Sequence, residues 1–197
     1  MQVVNNKALL LNLRHPNKVT SVVPNSKAVG ANEVLVKWGV EETLTLKSLN
    51  IDVPSPIKGR YQWPGTYKPF EHQKTTAEFL TKHRKAFCFN EQGTGKTASA
   101  IWASDFLLSQ GVINRVLVIC PLSIMDSAWR ADLFTFAMHR TVDIAYGAKD
   151  KRQKIINGGA QYVIINYDGV DIVADDIAAA GFDLVIVDEA THYKNAQ

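Results

Sequence analysis

The chain has 197 residues, of which 46% are hydrophobic and 21% are charged, and its formal net charge is +3. This balance is typical of a soluble globular chain and excludes wholesale disorder, while the lack of an apolar run of about 20 residues excludes an integral membrane protein. No secretory signal is visible and two cysteines are too few for a disulfide framework or a zinc site, so we expect a cytoplasmic protein.

The charge is distributed unevenly along the chain. Residues 1–66 contain 8 Lys or Arg and 4 Asp or Glu, whereas residues 67–197 contain 14 and 15. A mildly basic N-terminal part could approach phosphates. An ordinary solvated surface explains the same counts, so charge alone does not identify a nucleic-acid partner.

The first sixty residues carry short apolar or β-branched runs separated by turn residues. These runs predict strands at 8–13, 19–23, 33–38 and 42–46. Their spacing favours a small β-rich module, a meander or a barrel, over residues 1–60. Such a module is usually an interaction domain, and its partner stays open. The Pro- and Gly-rich stretch around residues 61–69 predicts a linker.

From residue 70 onward the pattern changes to alternating helices and strands. Helices are predicted at 70–82, 97–109, 126–136, 150–156 and 170–179, and strands at 86–89, 115–120, 142–145, 162–165 and 184–187. The strands are apolar throughout, which is typical of a parallel sheet covered on both faces. Residues 70–197 are therefore predicted to form an α/β domain, with Cys88 and Cys120 in buried strands.

A phosphate-binding loop is predicted where residues 90–97 read Asn-Glu-Gln-Gly-Thr-Gly-Lys-Thr, between a strand and a helix. Gly93 and Gly95 let the backbone point successive N–H groups at a polyphosphate, and Lys96 adds a positive charge. The Thr97 hydroxyl is a candidate ligand for Mg²⁺. The usual pattern has Gly where this chain has Asn90, and Asn tolerates a left-handed backbone. The predicted phosphate-binding set is Gln92, Gly93, Thr94, Gly95, Lys96 and Thr97.

Two adjacent carboxylates, Asp188 and Glu189, follow the last predicted strand. The carboxyl ends of parallel strands form the edge where ligands bind. Asp188 is predicted to hold Mg²⁺, often through water, and Glu189 to orient the attacking water or accept its proton. Such a pair alone is commonly a solvated loop. Together with the phosphate loop it predicts a Mg²⁺-dependent ATP or GTP site, with Lys96, Asp188 and Glu189 as catalytic residues.

Residues 67–197 resemble helicase superfamily 2 and, within it, the Swi/Snf-type DNA-dependent ATPases. Residues 188–195, Asp-Glu-Ala-Thr-His-Tyr-Lys-Asn, are similar to the Asp-Glu-Ala-His box of that family, and the trailing Lys-Asn is characteristic of the Swi/Snf branch. Thr191 stands where the box normally has His, and His192 falls one place late. The coupling role of that histidine is therefore not carried over.

Three further stretches of the chain agree with the family in order and spacing. Residues 67–73, Tyr-Lys-Pro-Phe-Glu-His-Gln, resemble the segment whose Gln binds the adenine edge, which places Gln73 in that role, although a surface helix residue would read the same. Pro121 and Ser123 fall in a loop resembling one that contacts DNA backbone phosphates. Asn166 and Tyr167 resemble the Thr-Tyr of a later DNA-contacting motif.

Trp129 follows the loop that contains Pro121 and Ser123. We expect it to pack in the core and not to stack on a base.

The resemblance implies a RecA-like lobe that uses ATP and Mg²⁺, contacts duplex DNA through its backbone and works with a second RecA-like lobe. That second lobe would supply arginine fingers, which contribute about 10³–10⁵ in rate in nucleotide hydrolases. The family also has a Ser/Thr-Ala-Thr strand between the strands that carry the phosphate loop and the Asp-Glu pair. Its absence would leave a gap in the sheet and exposed apolar edges. We therefore expect a truncated motor that is weak or inactive alone.

Two alternatives stay open at this point. The chain could be a non-catalytic piece that binds a nucleotide or a partner. It could also belong to the motor of a restriction enzyme, which uses the same superfamily core, although the Lys194-Asn195 pair argues mildly against this.

Overall fold

A computed structural model describes residues 1–189 of the chain. They form two units. The first combines residues 1–62 with residues 78–86, and the second combines residues 63–77 with the chain from residue 87 onward.

The first unit contains an antiparallel sheet in which apolar residues alternate with polar ones. Its strands are β1 (Gln2–Val4), β2 (Ala8–Asn12), β3 (Ser26–Ala28) and β4 (Glu33–Lys37), in the order β1-β2-β4-β3. Leu9 lies opposite Val36 and Leu11 opposite Val34, and all four are buried. Because successive residues of a strand point to opposite faces, one face of the sheet carries the core. The strand order is not that of a meander.

Helices in the first unit replace two of the predicted strands. The helices are α1 (Pro16–Thr20), α2 (Val40–Ser48) and α3 (Pro56–Arg60). Runs 19–23 and 42–46 were predicted as strands, and this was wrong. Proline at the start of α1 has the backbone angle that a first helical turn needs. In α2, the Thr43 hydroxyl donates to the Gly39 carbonyl at 2.7 Å, and acidic residues occupy the first turn, where they interact favourably with the helix dipole.

The second unit is built on a parallel sheet. Its strands are β5 (Val116–Cys120), β6 (Val142–Ala145), β7 (Tyr162–Asn166) and β8 (Leu184–Val187), in the order β6-β7-β5-β8. Every residue of β5 and β7 is buried. Even-numbered residues of β5 pack in one apolar cluster and Leu117 and Ile119 in a second. Both faces of the sheet are therefore covered, which confirms the predicted α/β class.

The helices that cover this sheet lie close to their predicted positions. They are α5 (Lys96–Ser109), α6 (Ala131–Phe136), α7 (Lys149–Ile156), α8 (Tyr167–Ile172) and α9 (Ala174–Ala179), with a 3-10 turn at Leu122–Ile124 and a π-helix at Met125–Arg130 before α6. Helix α4 (Glu71–Lys82) contributes its first seven residues to the second unit and the rest to the first. No helix within residues 1–189 combines the length and apolar character that crossing a bilayer requires.

The segment ahead of the phosphate loop is not a strand, contrary to the prediction for residues 86–89. Phe87 and Phe89 are 76% and 90% exposed, and Cys88 is only half-buried. A strand needs a hydrogen-bonded neighbour, and within the described residues β8 pairs only with β5. Val185 and Val187 of β8 are correspondingly 49% and 39% exposed. The outer edge of β8 is therefore unpaired among the described residues, and residues 86–89 do not pair with it.

Candidate nucleotide site

The predicted phosphate loop makes a sharp turn into helix α5. Gly95 precedes the first residue of the helix and has φ +74° and ψ +40°, and Gly93 has φ +77°. These left-handed conformations favour glycine because other residues are strained there. The loop therefore ends at a helix N-terminus, where backbone N–H groups lack partners within the helix and favour an anion.

The ammonium group of Lys96 is enclosed by the loop's own carbonyl oxygens. Its Nζ donates to the carbonyl of Asn90 at 2.9 Å and to that of Glu91 at 3.0 Å. The Thr94 hydroxyl also donates to the Glu91 carbonyl, at 2.8 Å. The loop is therefore curled around the charge. Phosphate oxygens are stronger acceptors for an ammonium group than these neutral carbonyls.

Gln92 and Thr97, the other two side chains of the predicted phosphate-binding set, differ in exposure. Gln92 lies in the turn of the loop with its side chain exposed, and none of the hydrogen bonds that shape the loop involves that side chain. Thr97 lies in the first turn of α5 and is half-buried. The Gln92 side chain is therefore not held in place by the loop as that of Lys96 is. A phosphate contact by the Gln92 backbone N–H stays a prediction.

Helix α4 contacts the phosphate loop through Gln73. The side-chain amide of Gln73 donates to the Thr94 carbonyl at 3.4 Å, and its oxygen accepts the backbone N–H of Phe70 at 2.9 Å. A Cβ on Gly95 would collide with Gln73 Nε2. The residue predicted to bind adenine therefore contacts the loop directly.

Two further contacts to α4 were not predicted from the sequence. The Asn90 amide donates to the Thr76 hydroxyl at 2.9 Å, and His72 Nε2 lies 3.1 Å from the Thr94 carbonyl. Asn90 stands where the usual pattern has Gly, and its side chain ties the start of the loop to α4.

Asp188 lies directly after β8 and is held by three neighbouring elements. Its backbone N–H donates to the Ile119 carbonyl at 2.9 Å, and its Oδ1 accepts the Glu189 N–H at 2.9 Å. The Trp129 indole N–H donates to Oδ2 at 2.9 Å, and the Tyr167 hydroxyl donates to the Asp188 carbonyl. These partners differ from those of the phosphate loop. The structure thus fixes each half of the predicted site through a separate set of contacts.

Trp129 is a core residue, as its sequence context favours. It is 1% exposed and packs in the apolar cluster beside β5 and β7. Its bond to Asp188 was not predicted. The available signal was that a buried indole N–H usually finds a hydrogen-bond acceptor.

Cys120, at the end of β5, has a thiol that is less acidic than usual because of burial and two nearby carboxylates. Desolvation raises the pKa of Cys120 to about 12, with added contributions from the negative charges of Asp188 and Glu189. The thiol therefore stays protonated at neutral pH and acts as an apolar core group.

The predicted DNA-contacting residues differ in accessibility. Ser123 is exposed in the turn after β5, and Pro121 is half-buried. Asn166 is 4% exposed, and its side-chain oxygen accepts a hydrogen bond of 3.0 Å from Arg152. Tyr167 is half-buried against Asp188. The DNA contacts of these residues stay predictions.

Arg152 is a buried residue that the sequence analysis did not single out. It is 5% exposed and also donates to the carbonyls of Ala145 at 2.7 Å and Gly147 at 2.9 Å. It thereby joins the ends of β6 and β7 and fixes the side chain of Asn166.

The rest of the acidic motif, residues 190–195, lies outside the described residues. This applies to Thr191, to His192 and to the Lys194-Asn195 pair.

Comparison with known proteins supports the resemblance. A family model for the SNF2-related domain matches residues 72–197. Switch 2 from Arabidopsis thaliana is 25% identical over 178 residues, which cover 80% of this chain and 20% of that protein. The Sulfolobus solfataricus SWI2/SNF2 ATPase core in complex with dsDNA shares the fold with a TM-score of 0.55 at 21% identity, over 68% of this chain and 28% of that one. The chain thus spans about a fifth of the curated relative's length.

The matched region contains the phosphate loop, the parallel sheet and the Asp-Glu pair, and it exceeds half of the chain. The Swi/Snf resemblance and the RecA-like fold that it implied are therefore confirmed, and the chain belongs to the SNF2-related domain family.

Proposed function

We propose that this chain forms the ATP-binding lobe of a Swi/Snf-type translocase, which couples hydrolysis of Mg²⁺-ATP to movement on duplex DNA. The observation that carries the proposal is the glycine-rich loop curled around the Lys96 ammonium at the start of α5. Family membership makes ATP the expected nucleotide.

Residues 92–97 would hold the triphosphate. Phosphate oxygens would replace the carbonyls of Asn90 and Glu91 as partners of Lys96 Nζ, and the N–H groups at the start of α5 would face the same anion. Gln92 would contribute its backbone N–H, since its side chain is exposed.

The adenine would be bound on the side of the loop that faces α4. Gln73 would bind the adenine edge, since its amide can both donate and accept. The Gln73 amide bonds to Thr94 and Phe70 in the free chain, and one N–H and one oxygen lone pair are left for adenine.

The residues predicted to hold Mg²⁺ fit that ion. Mg²⁺ prefers hard oxygen ligands, and the Thr97 hydroxyl and the Asp188 carboxylate supply them. When bound, the ion would neutralise negative charge on the phosphates. Glu189 would orient the attacking water or accept its proton. Hydrolysis at a useful rate would also need arginine residues from a second RecA-like lobe, which is the proposed protein partner.

DNA would be contacted through its phosphates, without reading the bases. The structural relative from Sulfolobus solfataricus is a complex with dsDNA, and the turn that exposes Ser123 follows a central strand of the shared sheet. Backbone contacts suffice for movement on DNA because a translocase must accept every sequence.

Calorimetry with Mg²⁺-ATP tests the nucleotide site. We expect saturable binding by the wild-type chain and at least tenfold weaker binding by Lys96→Ala. Lys149→Ala is the matched control, because Lys149 is also the first residue of a helix and is exposed. Equal affinities for wild type and Lys96→Ala would contradict the site assignment.

A second candidate function is nucleotide binding without turnover, and one observation favours it for this chain alone. The segment that delivers the loop, residues 86–89, is not anchored in the sheet. Phosphate release should be measured on the chain with and without duplex DNA. Stimulated turnover would support the translocase for the isolated chain, whereas binding with no turnover would support the second candidate.

A further inference from the structure

We propose that Trp129 is a positioning residue for the metal-binding carboxylate, acting through its indole N–H on Asp188. This inference rests on the proposed function, since it concerns how Asp188 is prepared for Mg²⁺. Trp129 would not touch the nucleotide, the metal or the water.

The geometry gives the indole N–H a single acceptor and a fixed direction. Nε1 lies 2.9 Å from Asp188 Oδ2, within the normal range for a hydrogen bond. Trp129 is 1% exposed and packs in the apolar cluster that includes Val118, Ile164 and Leu133. The ring cannot turn away without opening that cluster, so the donor is as rigid as the core itself.

The other contacts of Asp188 hold its backbone and its second oxygen. The Ile119 carbonyl accepts the Asp188 N–H, the Tyr167 hydroxyl donates to the Asp188 carbonyl, and the Glu189 N–H donates to Oδ1. With Oδ2 bound to Trp129, both carboxylate oxygens have a donor. The carboxylate plane is therefore set before any ligand arrives.

An indole is well suited to this position because it is a neutral donor. A lysine or arginine would fix the carboxylate equally well, but its charge would oppose a cation at the same group. The indole N–H uses one lone pair of Oδ2, and each carboxylate oxygen has two. The carboxylate keeps its charge and its remaining lone pairs for a metal ion or a metal-bound water.

Removing a residue that hydrogen-bonds a metal-binding side chain typically lowers metal affinity by about 10- to 100-fold. We therefore expect Trp129→Phe, which keeps an aromatic ring but removes the N–H, to weaken Mn²⁺ binding in the presence of ATP about tenfold. Electron paramagnetic resonance of Mn²⁺ measures this without turnover, against a blank of Mn²⁺ and ATP alone because ATP itself binds Mn²⁺. Affinity for ATP in the presence of EDTA should be unchanged.

Trp102→Phe is the matched control. Trp102 is also 1% exposed, lies in the same unit on α5, and donates its indole N–H to the Pro64 carbonyl at 2.9 Å. It loses the same atoms from a buried site without touching Asp188. An equal loss of Mn²⁺ affinity in both variants would show a general packing effect and would overturn the proposal.

Nuclear magnetic resonance of the indole ¹⁵N–¹H groups provides a second test that needs no folded Trp129 variant. Asp188→Asn replaces the carboxylate, and the indole signal that it shifts most is assigned to Trp129. We expect Mg²⁺ added with ATP to move that signal in the wild-type chain. A signal that stays fixed while ATP and Mg²⁺ bind would overturn the proposal. Failure of the wild-type chain to bind ATP at all would instead contradict the proposed function.

Discussion

At the scale of single residues, the two cysteines differ in burial and therefore in the expected reactivity of their thiols. Desolvation together with the charges of Asp188 and Glu189 raises the pKa of Cys120 to about 12, and Cys120 is fully buried. Cys88 is half-buried in the segment before the phosphate loop. Because the thiolate is the reactive form, we expect DTNB at pH 8 to modify one thiol of the native chain rapidly.

Single substitutions identify that thiol. Cys88→Ser should abolish the rapid phase, and Cys120→Ser should leave it intact. Rapid, stoichiometric modification of Cys88→Ser under native conditions would mean that Cys120 is accessible, contrary to its burial.

Gly93 and Gly95 of the phosphate loop distinguish the cost of backbone strain from the cost of a side-chain collision. Both have φ near +75°, but a Cβ on Gly95 would meet Gln73 Nε2, whereas a Cβ on Gly93 would meet no atom within 4 Å. We expect Gly93→Ala to lower the free energy of unfolding by about 1 kcal/mol through backbone strain alone. Gly95→Ala should lower it further, as measured by urea denaturation. The flexible Gln73 side chain must move aside and so lose its hydrogen bonds to Thr94 and Phe70.

The excess cost of Gly95→Ala should shrink when Gln73 is also replaced by Ala. This double-mutant cycle isolates the contact, because each single variant carries its own strain or lost hydrogen bond. Equal costs for the two alanine variants, or an excess that persists without Gln73, would show that the contact does not decide the effect.

Parts of the site were predictable from sequence because local chemistry specifies them. Gly93, Gly95 and Lys96 are adjacent in the chain, so their motif places the loop without knowledge of the fold. The exposure of the Gln92 side chain was not predictable, because a motif gives the position of a residue and not the direction of its side chain. The partners of Asp188 were not predictable either, because Trp129 is 59 residues away and reaches it only after β5 and β8 have paired.

At the scale of elements, Glu78 ties helix α3 to the second half of α4 within the first unit. Its carboxylate pairs with Lys82 and lies 3.3 Å from Lys58 Nζ, and it is 17% exposed. Burial acts to raise the pKa of Glu78, but the hydrogen bonds and charges of the two lysines outweigh it and lower the pKa below its usual 4.5.

This lowered pKa predicts how the stability of the chain depends on pH. A carboxyl whose pKa is lowered by folding stabilises the fold above about pH 4.5, and the stabilisation is lost as the pH falls through the folded-state value. Glu78→Gln should therefore cost about 1 kcal/mol at pH 7, and the difference from wild type should shrink in acid.

Glu71→Gln is the control for Glu78→Gln. Glu71 lies on the same helix and pairs with Lys74, but its side chain is 74% exposed. We expect its effect to stay within about 0.5 kcal/mol at every pH. A pH-independent cost for Glu78→Gln would indicate lost packing instead of a lost ionic contact.

Helices and strands were predicted well where periodicity and burial agree. Strands β5 to β8 were placed to within a residue, because continuous apolar runs between helical segments have few other solutions. Residues 42–46 alternate apolar and polar side chains, yet they form part of α2, where Thr43 and Leu46 share the buried side. A run of five residues can satisfy both the period of a strand and that of a helix. The helix N-cap at Gly39 and the acidic first turn of α2 therefore decide its structure.

At the scale of the whole molecule, the order of the parallel sheet bears on residues 86–89, the predicted strand of the second unit that does not form. Residues 86–89 have strand-forming sequence, but β-structure depends on a neighbour with free hydrogen-bonding groups. The resemblance implies a further strand between residues 86–89 and β8, and no such strand lies among the described residues, where the valines of β8 are exposed. Residues 86–89 therefore have the sequence of a strand but lack the neighbouring strand with which they would pair.

The exposed phenylalanines of this segment predict an unusual response to substitution. Phe87 and Phe89 stack on each other with ring centroids 5.7 Å apart, but they are 76% and 90% exposed. Replacing both with Ser should change the free energy of unfolding by no more than about 0.5 kcal/mol, because little apolar area is lost from the core. Removing this exposed apolar surface should also reduce self-association, measured by light scattering.

Phe106→Ala is the matched buried control for that double variant. Phe106 is 1% exposed on α5, so its truncation should cost about 3–5 kcal/mol. A loss of about 2 kcal/mol or more in the double serine variant would mean that the two rings contribute to a packed core, and the account of residues 86–89 as a strand without a neighbour would then be wrong. Unchanged stability with less association would instead support an apolar segment that the described sheet leaves uncovered.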